Sequence, residues 1–296
     1  MGEDIKKLLA GGVSGCCAKT CIAPLDRTKI LLQAKNPYYK DFGVFSCMRE
    51  ICRREGIVSL WKGNTMMMIR IFPYSAIQFY SFEKYLGFFN KVFGNNQLNK
   101  GLAGSCAGVS SVLATYPLDM VRARLAFQIT GEHRYNGIYS AFSQIFRHEG
   151  GIVAFYRGIS PTVAGMIPYA GSSWLVYKTL EEITSSMMPT KTDENNVQLL
   201  VIKMTTSFLS GGVAGAISQT ASYPLDVARR RMQLANVLPN SHHYKGMWST
   251  LSAVYRHDGI VKGLYRGLSI NYIRVIPQQA IAYTTFKAMK EILDLN

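Results

Sequence analysis

Pro24-Leu25-Asp26-Arg27-Thr28-Lys29 returns in the same chain as Pro117-Leu118-Asp119-Met120-Val121-Arg122 and again as Pro224-Leu225-Asp226-Val227-Ala228-Arg229. Thirteen and nine residues before each proline stands a glycine: Gly11 and Gly15, Gly104 and Gly108, Gly211 and Gly215. Coincidence at that depth means an internal triplication, and a repeat constrains the whole fold. The second halves repeat as well. Pro73, Pro168 and Pro277 follow the first prolines by 49, 51 and 53 residues. Each is preceded by an aromatic-cation-glycine triplet (Trp61-Lys62-Gly63, Tyr156-Arg157-Gly158, Tyr265-Arg266-Gly267) and, further upstream, by Glu55-Gly56, Glu149-Gly150 or Asp258-Gly259. The units are expected over residues 5–92, 98–185 and 203–293, with a polar loop at 185–196 lengthening the second junction.

The 296 residues are 48% hydrophobic and carry a net charge of +15, which leaves a basic soluble protein, a nucleic-acid binder or a membrane protein facing anions. The placement of the charges decides. Residues 101–118, 204–225 and 158–177 hold no charged side chain, and 8–25, 63–82 and 267–286 hold one each. Six segments of 18 to 22 residues have the length of a bilayer-crossing helix. Their many Ser, Thr, Gly and Gln suit helices that line a polar cavity. The expected fold is therefore an all-α membrane protein with six transmembrane helices in three pseudo-threefold repeats, two spans to a unit, and no cleavable presequence.

Glycines four apart bare one face of a helix to a close neighbour, so the paired glycines are expected at helix contacts. The prolines behind them bend the odd-numbered helices. The acid and cation at proline plus two and plus five lie near one helix face. Charges near a membrane are costly unless paired, and a ring solves this: Asp26 with Arg122, Asp119 with Arg229, Asp226 with Lys29. A ring that breaks and re-forms is a gate.

Deep inside the spans only Lys19, Arg70 and Arg274 are charged, each five or three residues before a proline. They are expected to share one depth and to make a cationic cavity with no compensating acid. Such a site suits a multiply charged anion, with Arg binding phosphate through its planar fork. The position on the fourth span that matches Arg70 and Arg274 is Gly165, followed by Met166. The small residue leaves room for a flat base, with Tyr169 near enough to stack and Gln78 and Gln278 as neutral hydrogen-bonding groups. Coenzyme A, dephospho-coenzyme A, ADP, ATP and adenosine 3′,5′-bisphosphate all fit this chemistry.

Together these motifs resemble the mitochondrial carrier family, over nearly the whole chain. The resemblance implies short matrix helices between the spans, a central site reached alternately from each side, and residence in the mitochondrial inner membrane. It makes Gln33 and Gln233 braces beneath the matrix ring, where the second unit has Ala126. It also puts a further cation at proline plus seven, present as Arg124 and Arg231 but replaced by Leu31 in the first unit. Lys19 falls where the family's ADP/ATP carriers have a phosphate-binding lysine. The helix starts at Gly63, Gly158 and Gly267, each beside a cation, are anion sites. The resemblance makes them cardiolipin sites, aided by Gly43, Gly137 and Gly246. Stretches such as Met67-Met68-Ile69-Arg70-Ile71-Phe72-Pro73-Tyr74 are similar to a family member linked to coenzyme A. That likeness alone singles out coenzyme A or a precursor.

The family's second gate, an aromatic-acid-x-x-cation motif ending each even span, is degraded here. The segments 82–86, 177–181 and 286–290 would oppose Glu83 to Glu181, Lys178 to Lys290 and Lys287 to Leu86, and no pair attracts. The resting protein is thus expected to be closed toward the matrix and open toward the cytoplasm. Nothing suggests an enzyme, a cofactor or a metal: the five histidines sit near loops and the six cysteines lack zinc-type spacing. No basic groove suggests nucleic acid, and a monomer is expected. A proton-leak protein on the same fold is the alternative to an exchanger.

Overall fold

The computed structural model describes residues 2–94, 96–129, 131, 135–187, 197–238 and 244–292, and in them every regular element is helical. Six long helices carry the six repeated prolines inside them: α1 (Gly2–Gln33), α3 (Asn64–Phe93), α4 (Gln97–Phe127), α7 (Ile159–Met187), α8 (Val197–Gln233) and α10 (Leu268–Ile292). Between the members of each pair lies a short helix and a further turn. These are α2 (Val44–Glu55) with a 3-10 turn at Ile57–Trp61, α5 (Ile138–His148) with the one-turn α6 (Ile152–Phe155), and α9 (Met247–Asp258) with a π turn at Ile260–Leu264. The loop at 188–196 lies outside the described residues.

A proline deprives its helix of one amide donor and frees the carbonyl four residues before it. In α1 the freed carbonyl of Thr20 accepts a hydrogen bond from the Trp61 indole, 2.8 Å away. The aromatic of the triplet thus ties the short-helix segment to the bend. In the other two repeats the same aromatic stacks instead: Tyr156 on Tyr116 and Tyr265 on Tyr223, with ring centroids 6.1 and 6.2 Å apart.

The long helices pack most extensively across repeat boundaries, α3 on α4, α7 on α8 and α10 on α1, which closes the bundle. Gly158 shows what that closeness requires. Its φ is +86°, and a Cβ there would lie 3.0 Å from the Arg229 carbonyl and 3.1 Å from the Tyr116 hydroxyl. Gly63 and Gly267, at +82° and +84°, meet α4 and α8 in the same way. Glycine is needed because L side chains avoid this φ and because there is no space.

One expectation is corrected. The glycines four apart are not close-contact points: a Cβ at Gly11, Gly108, Gly211 or Gly215 would meet nothing within 4 Å, and Gly15 and Gly104 make only ordinary contacts. They lie in the halves of α1, α4 and α8 away from the ion-paired end. The crowded glycine of α1 is Gly12, where a Cβ would run into the Phe72 ring. The helical fold and its three repeats are as expected, while the six spans are not confirmed: among the described residues no helix is long and apolar enough to cross a membrane. Length is ample, but buried Ser14, Ser111, Ser218 and Thr115 dilute the hydropathy, and Ser111, Ser218 and Thr115 return their hydroxyls to their own helix four residues back.

Candidate functional site

The bends bring the proline-acid-cation motifs of α1, α4 and α8 together at one end of the bundle. Arg122 donates to Asp26 at 2.7 Å, Arg229 to Asp119 at 2.5 Å, and Lys29 stands 3.8 Å from Asp226. Beneath this ring, Gln233 donates to Asp119 at 2.9 Å and reaches the Tyr116 hydroxyl at 3.3 Å. Gln33 donates to the Tyr223 hydroxyl at 3.0 Å, and Tyr223 passes its own proton to the Arg266 carbonyl. Each glutamine therefore meets the tyrosine that precedes the proline of another repeat. At the third junction both partners are missing, because the first repeat has Ala23 in place of tyrosine and the second has Ala126 in place of glutamine. A small cleft lined by Ala23, Ala126, Asp26, Arg122 and Gly63 occupies that place.

The acid of each acid-glycine pair anchors a second tier. Arg124 donates to Glu149 and Arg231 to Asp258, at 2.7 and 2.8 Å, and Lys35 also pairs with Asp258. The first repeat, with Leu31 at that position, fills the role from one turn earlier. Arg27, 1% exposed, donates to both oxygens of Glu55 at 3.0 and 2.9 Å. It also donates to the carbonyls of Ser59, Ala126 and Gln128. Lys62 and the Tyr39 hydroxyl complete the shell of Glu55 at 2.8 Å each. Burial by itself would raise the Glu55 pKa, but the Lys62 hydrogen bond and the Arg27 charge outweigh it and hold the carboxyl at about 2. The repeated motif does not single out Arg27. The signal was nonetheless present: where the other repeats have Met120 with Arg124 and Val227 with Arg231, the first has Arg27 with Leu31.

On the other side of the ring lie the central cations, and here the uncompensated cavity must be corrected. Arg70 donates to Asp119 at 3.2 Å and to Thr115 at 3.3 Å, and Arg274 donates to Asp26 at 2.7 Å. The tight α3–α4 and α10–α1 contacts put each guanidinium beside a ring carboxylate, and a buried cation next to such a partner pairs with it. Lys19, half-buried, makes no hydrogen bond or ion pair among the described residues. Arg274 keeps a buried Nε with no partner. Gly165 faces Leu225, the neighbour of Asp226, with 3.5 Å between its notional Cβ and the leucine Cβ.

Not every candidate joins this cluster. Met166 is half-buried beside Gly165, whereas Tyr169 is exposed one turn on with no ring partner among the described residues. Gln78 is exposed on α3, about 12 Å along the helix from Arg70. A further residue, Gln219, was not singled out by its sequence. It stands five residues before its proline, as Lys19 does, and donates to Asp226 at 3.1 Å. At the far ends of α3 and α10, Glu83, Lys287 and Lys290 make no ion pair among the described residues, and the Glu181 side chain in α7 lies outside them. Gly43, Gly137 and Gly246 each start a short helix, and the carbonyl of each accepts an amide from it.

The geometry of a closed ring with cations above it can be set beside known proteins. The family model described as mitochondrial carrier protein matches residues 3–93, 94–187 and 201–296. Human solute carrier family 25 member 16, the Graves disease carrier, is 53% identical over 296 residues, covering 99% of this chain and 89% of its own. The Bos taurus protein of the same name is 52% identical over 296 residues, 99% of this chain and 90% of its own. A Danio rerio protein named mitochondrial coenzyme A transporter SLC25A42 is 38% identical over 294 residues, 98% of this chain and 87% of its own. Members of the family are transporters rather than enzymes and reside in the mitochondrial inner membrane. Three matched units across the chain, joined by one ring of ion pairs, show that this protein belongs to the mitochondrial carrier family.

Proposed function

We propose that the protein carries an adenine-nucleotide-like anion, coenzyme A or a precursor such as dephospho-coenzyme A, across the inner membrane by alternating access. One observation supports this most directly. Lys19, Arg70 and Arg274 sit above a closed ring, and two of them are held by the carboxylates that also bind the ring cations. A polyphosphate entering from the open side offers Arg70 and Arg274 a better-charged partner. Taking them from Asp119 and Asp26 weakens the field around those carboxylates, so binding and ring opening are coupled. The base end lies against Gly165 and Met166, with Tyr169 above. Asp26, Lys29, Asp119, Arg122, Asp226 and Arg229 then act as the matrix gate, braced by Gln33 and Gln233.

On this reading the six long helices cross the bilayer as one monomeric bundle, and the short helices lie at the matrix surface. Residues two positions beyond Gly43, Gly137 and Gly246 support that placement: Phe45, Tyr139 and Trp248 are 70%, 86% and 75% exposed, an aromatic belt with threefold repetition. Cardiolipin phosphates would bind between these helices and the starts at Gly63, Gly158 and Gly267, close to Lys62, Arg157 and Arg266.

The test is uptake of labelled coenzyme A and labelled ADP into cardiolipin-containing liposomes. Coenzyme A is expected to accumulate, with Arg70→Ala and Arg274→Ala each cutting uptake about tenfold or more, the worth of a charged hydrogen bond. Uptake of ADP alone would overturn coenzyme A while keeping the site. Transport of neither by folded protein, with proton conductance instead, would move the assignment to a leak.

A further inference from the structure

The three sectors of the site are not alike. In the α10–α1 sector Asp26 is served by Arg122 and Arg274, with Lys19 one level above. In the α3–α4 sector Asp119 is served by Arg229 and Arg70, with Gln233 as a further donor. In the α7–α8 sector the arginine position is Gly165 and the lysine position is Gln219. Asp226 is left with Lys29 at 3.8 Å and the Gln219 amide at 3.1 Å. Its side chain is 36% exposed, against 8% for Asp26 and 1% for Asp119. The wall of the site is therefore uneven: central arginines on two sectors, and on the third a carboxylate with unused acceptor capacity that no guanidinium pairs with among the described residues.

A phosphate cannot settle against that carboxylate, since both groups are anionic acceptors. An N–H donor can. On the nucleotide reading above, the substrate's phosphates are drawn to the two cationic sectors, and the base is directed to the third, where Gly165 stands in place of the arginine. We propose that Asp226 and Gln219 form the hydrogen-bonding subsite that reads the amine-bearing edge of the base and selects adenine over hypoxanthine. The exocyclic amine of adenine donates to the Asp226 carboxylate. The Gln219 amide, which pairs with adenine edges through one donor and one acceptor, donates to the adjacent ring nitrogen. Hypoxanthine replaces the amine with a carbonyl, so an acceptor would face the carboxylate and both would lose their water.

The experiment rests on the nucleotide reading and is arranged to fail separately from it. Uptake into liposomes is compared for coenzyme A against its deaminated hypoxanthine form and for ADP against inosine diphosphate, with each ratio taken within one protein. The wild type should favour the adenine member by about tenfold or more. Gln219→Ala should shrink that ratio to a fewfold. Asp226→Asn should shrink or reverse it, because its amide can donate to the hypoxanthine carbonyl. Binding of the four compounds to detergent-solubilised protein, read as thermal stabilisation, gives the same ratios for a variant that no longer turns over. Equal handling of both bases by the wild type, or unchanged ratios in both variants, would overturn the subsite while leaving nucleotide transport intact. Wild-type uptake and binding of none of the four would overturn both.

Discussion

Removing Arg27 tests whether the first repeat has moved its second-tier cation by one turn. Arg27→Ala deletes the ion pair to a Glu55 carboxylate that is itself 1% exposed, and with it the hydrogen bonds to the carbonyls of Ser59, Ala126 and Gln128. Breaking a buried ion pair by deleting one partner costs about 3–5 kcal/mol, because the other charge stays behind. Lys62 and Tyr39 still serve Glu55, which favours the lower figure. At roughly 2 °C per kcal/mol for a chain of this size, the unfolding temperature should fall by about 6–10 °C. The decisive variant is the double substitution Arg27→Met, Leu31→Arg, which copies the Met120 and Arg124 arrangement of the second repeat. Positions four apart share a helix face, so the transplanted guanidinium can reach Glu55 as Arg124 reaches Glu149. Thermal unfolding in detergent with cardiolipin should show at least half of the loss recovered. A single variant within about 2 °C of wild type, or a double variant no better than the single, would refute the relocated cation.

The braces and the second tier each give a further outcome. The junction that lacks a brace can be given one: Ala23→Tyr with Ala126→Gln should add a buried hydrogen bond of about 1 kcal/mol. The unfolding temperature should then rise and exchange should slow about fivefold as ring opening becomes harder; exchange at or above the wild-type rate would count against a gating role for the braces. Glu55 also predicts a pH dependence. Its folded pKa of about 2 lies below the ordinary value near 4.5, so its contribution is fully present above pH ~4.5 and is lost as pH falls through about 2. The stability gap between wild type and Glu55→Gln should be on the order of 3 kcal/mol at pH 6 and should shrink steadily below pH 4. A gap that stays constant down to pH 3 would exclude a depressed Glu55.

Much of this molecule was legible as a one-dimensional pattern because triplication turns weak local signals into a strong one. A single proline-acid-cation motif is a solvated helix end, whereas three in register with three glycine pairs and three acid-glycine turns prescribe a closed ring of repeats. The ion pairs around that ring followed from symmetry, since each acid has a cation of another repeat at the same level. What symmetry could not supply is where the three units differ and which neighbours those differences meet. Arg27 and Leu31 look like ordinary variation until the fold sets Glu55 against them. Ala23 and Ala126 lie 103 positions apart and become one missing brace only when α1 and α4 touch. Arg70 and Arg274 carry the charge expected of them, but whether a carboxylate stands beside them depends on helix packing across repeats, and distance governs the strength of such pairing. Gly165 and Gln219 likewise mark a half-buried Asp226 only in three dimensions. The sequence by itself determined the threefold helical frame and the identity of the paired charges, because both are periodic in the chain. The tertiary structure alone decided the asymmetry of the site, because contacts between repeats depend on side chains that no local period relates.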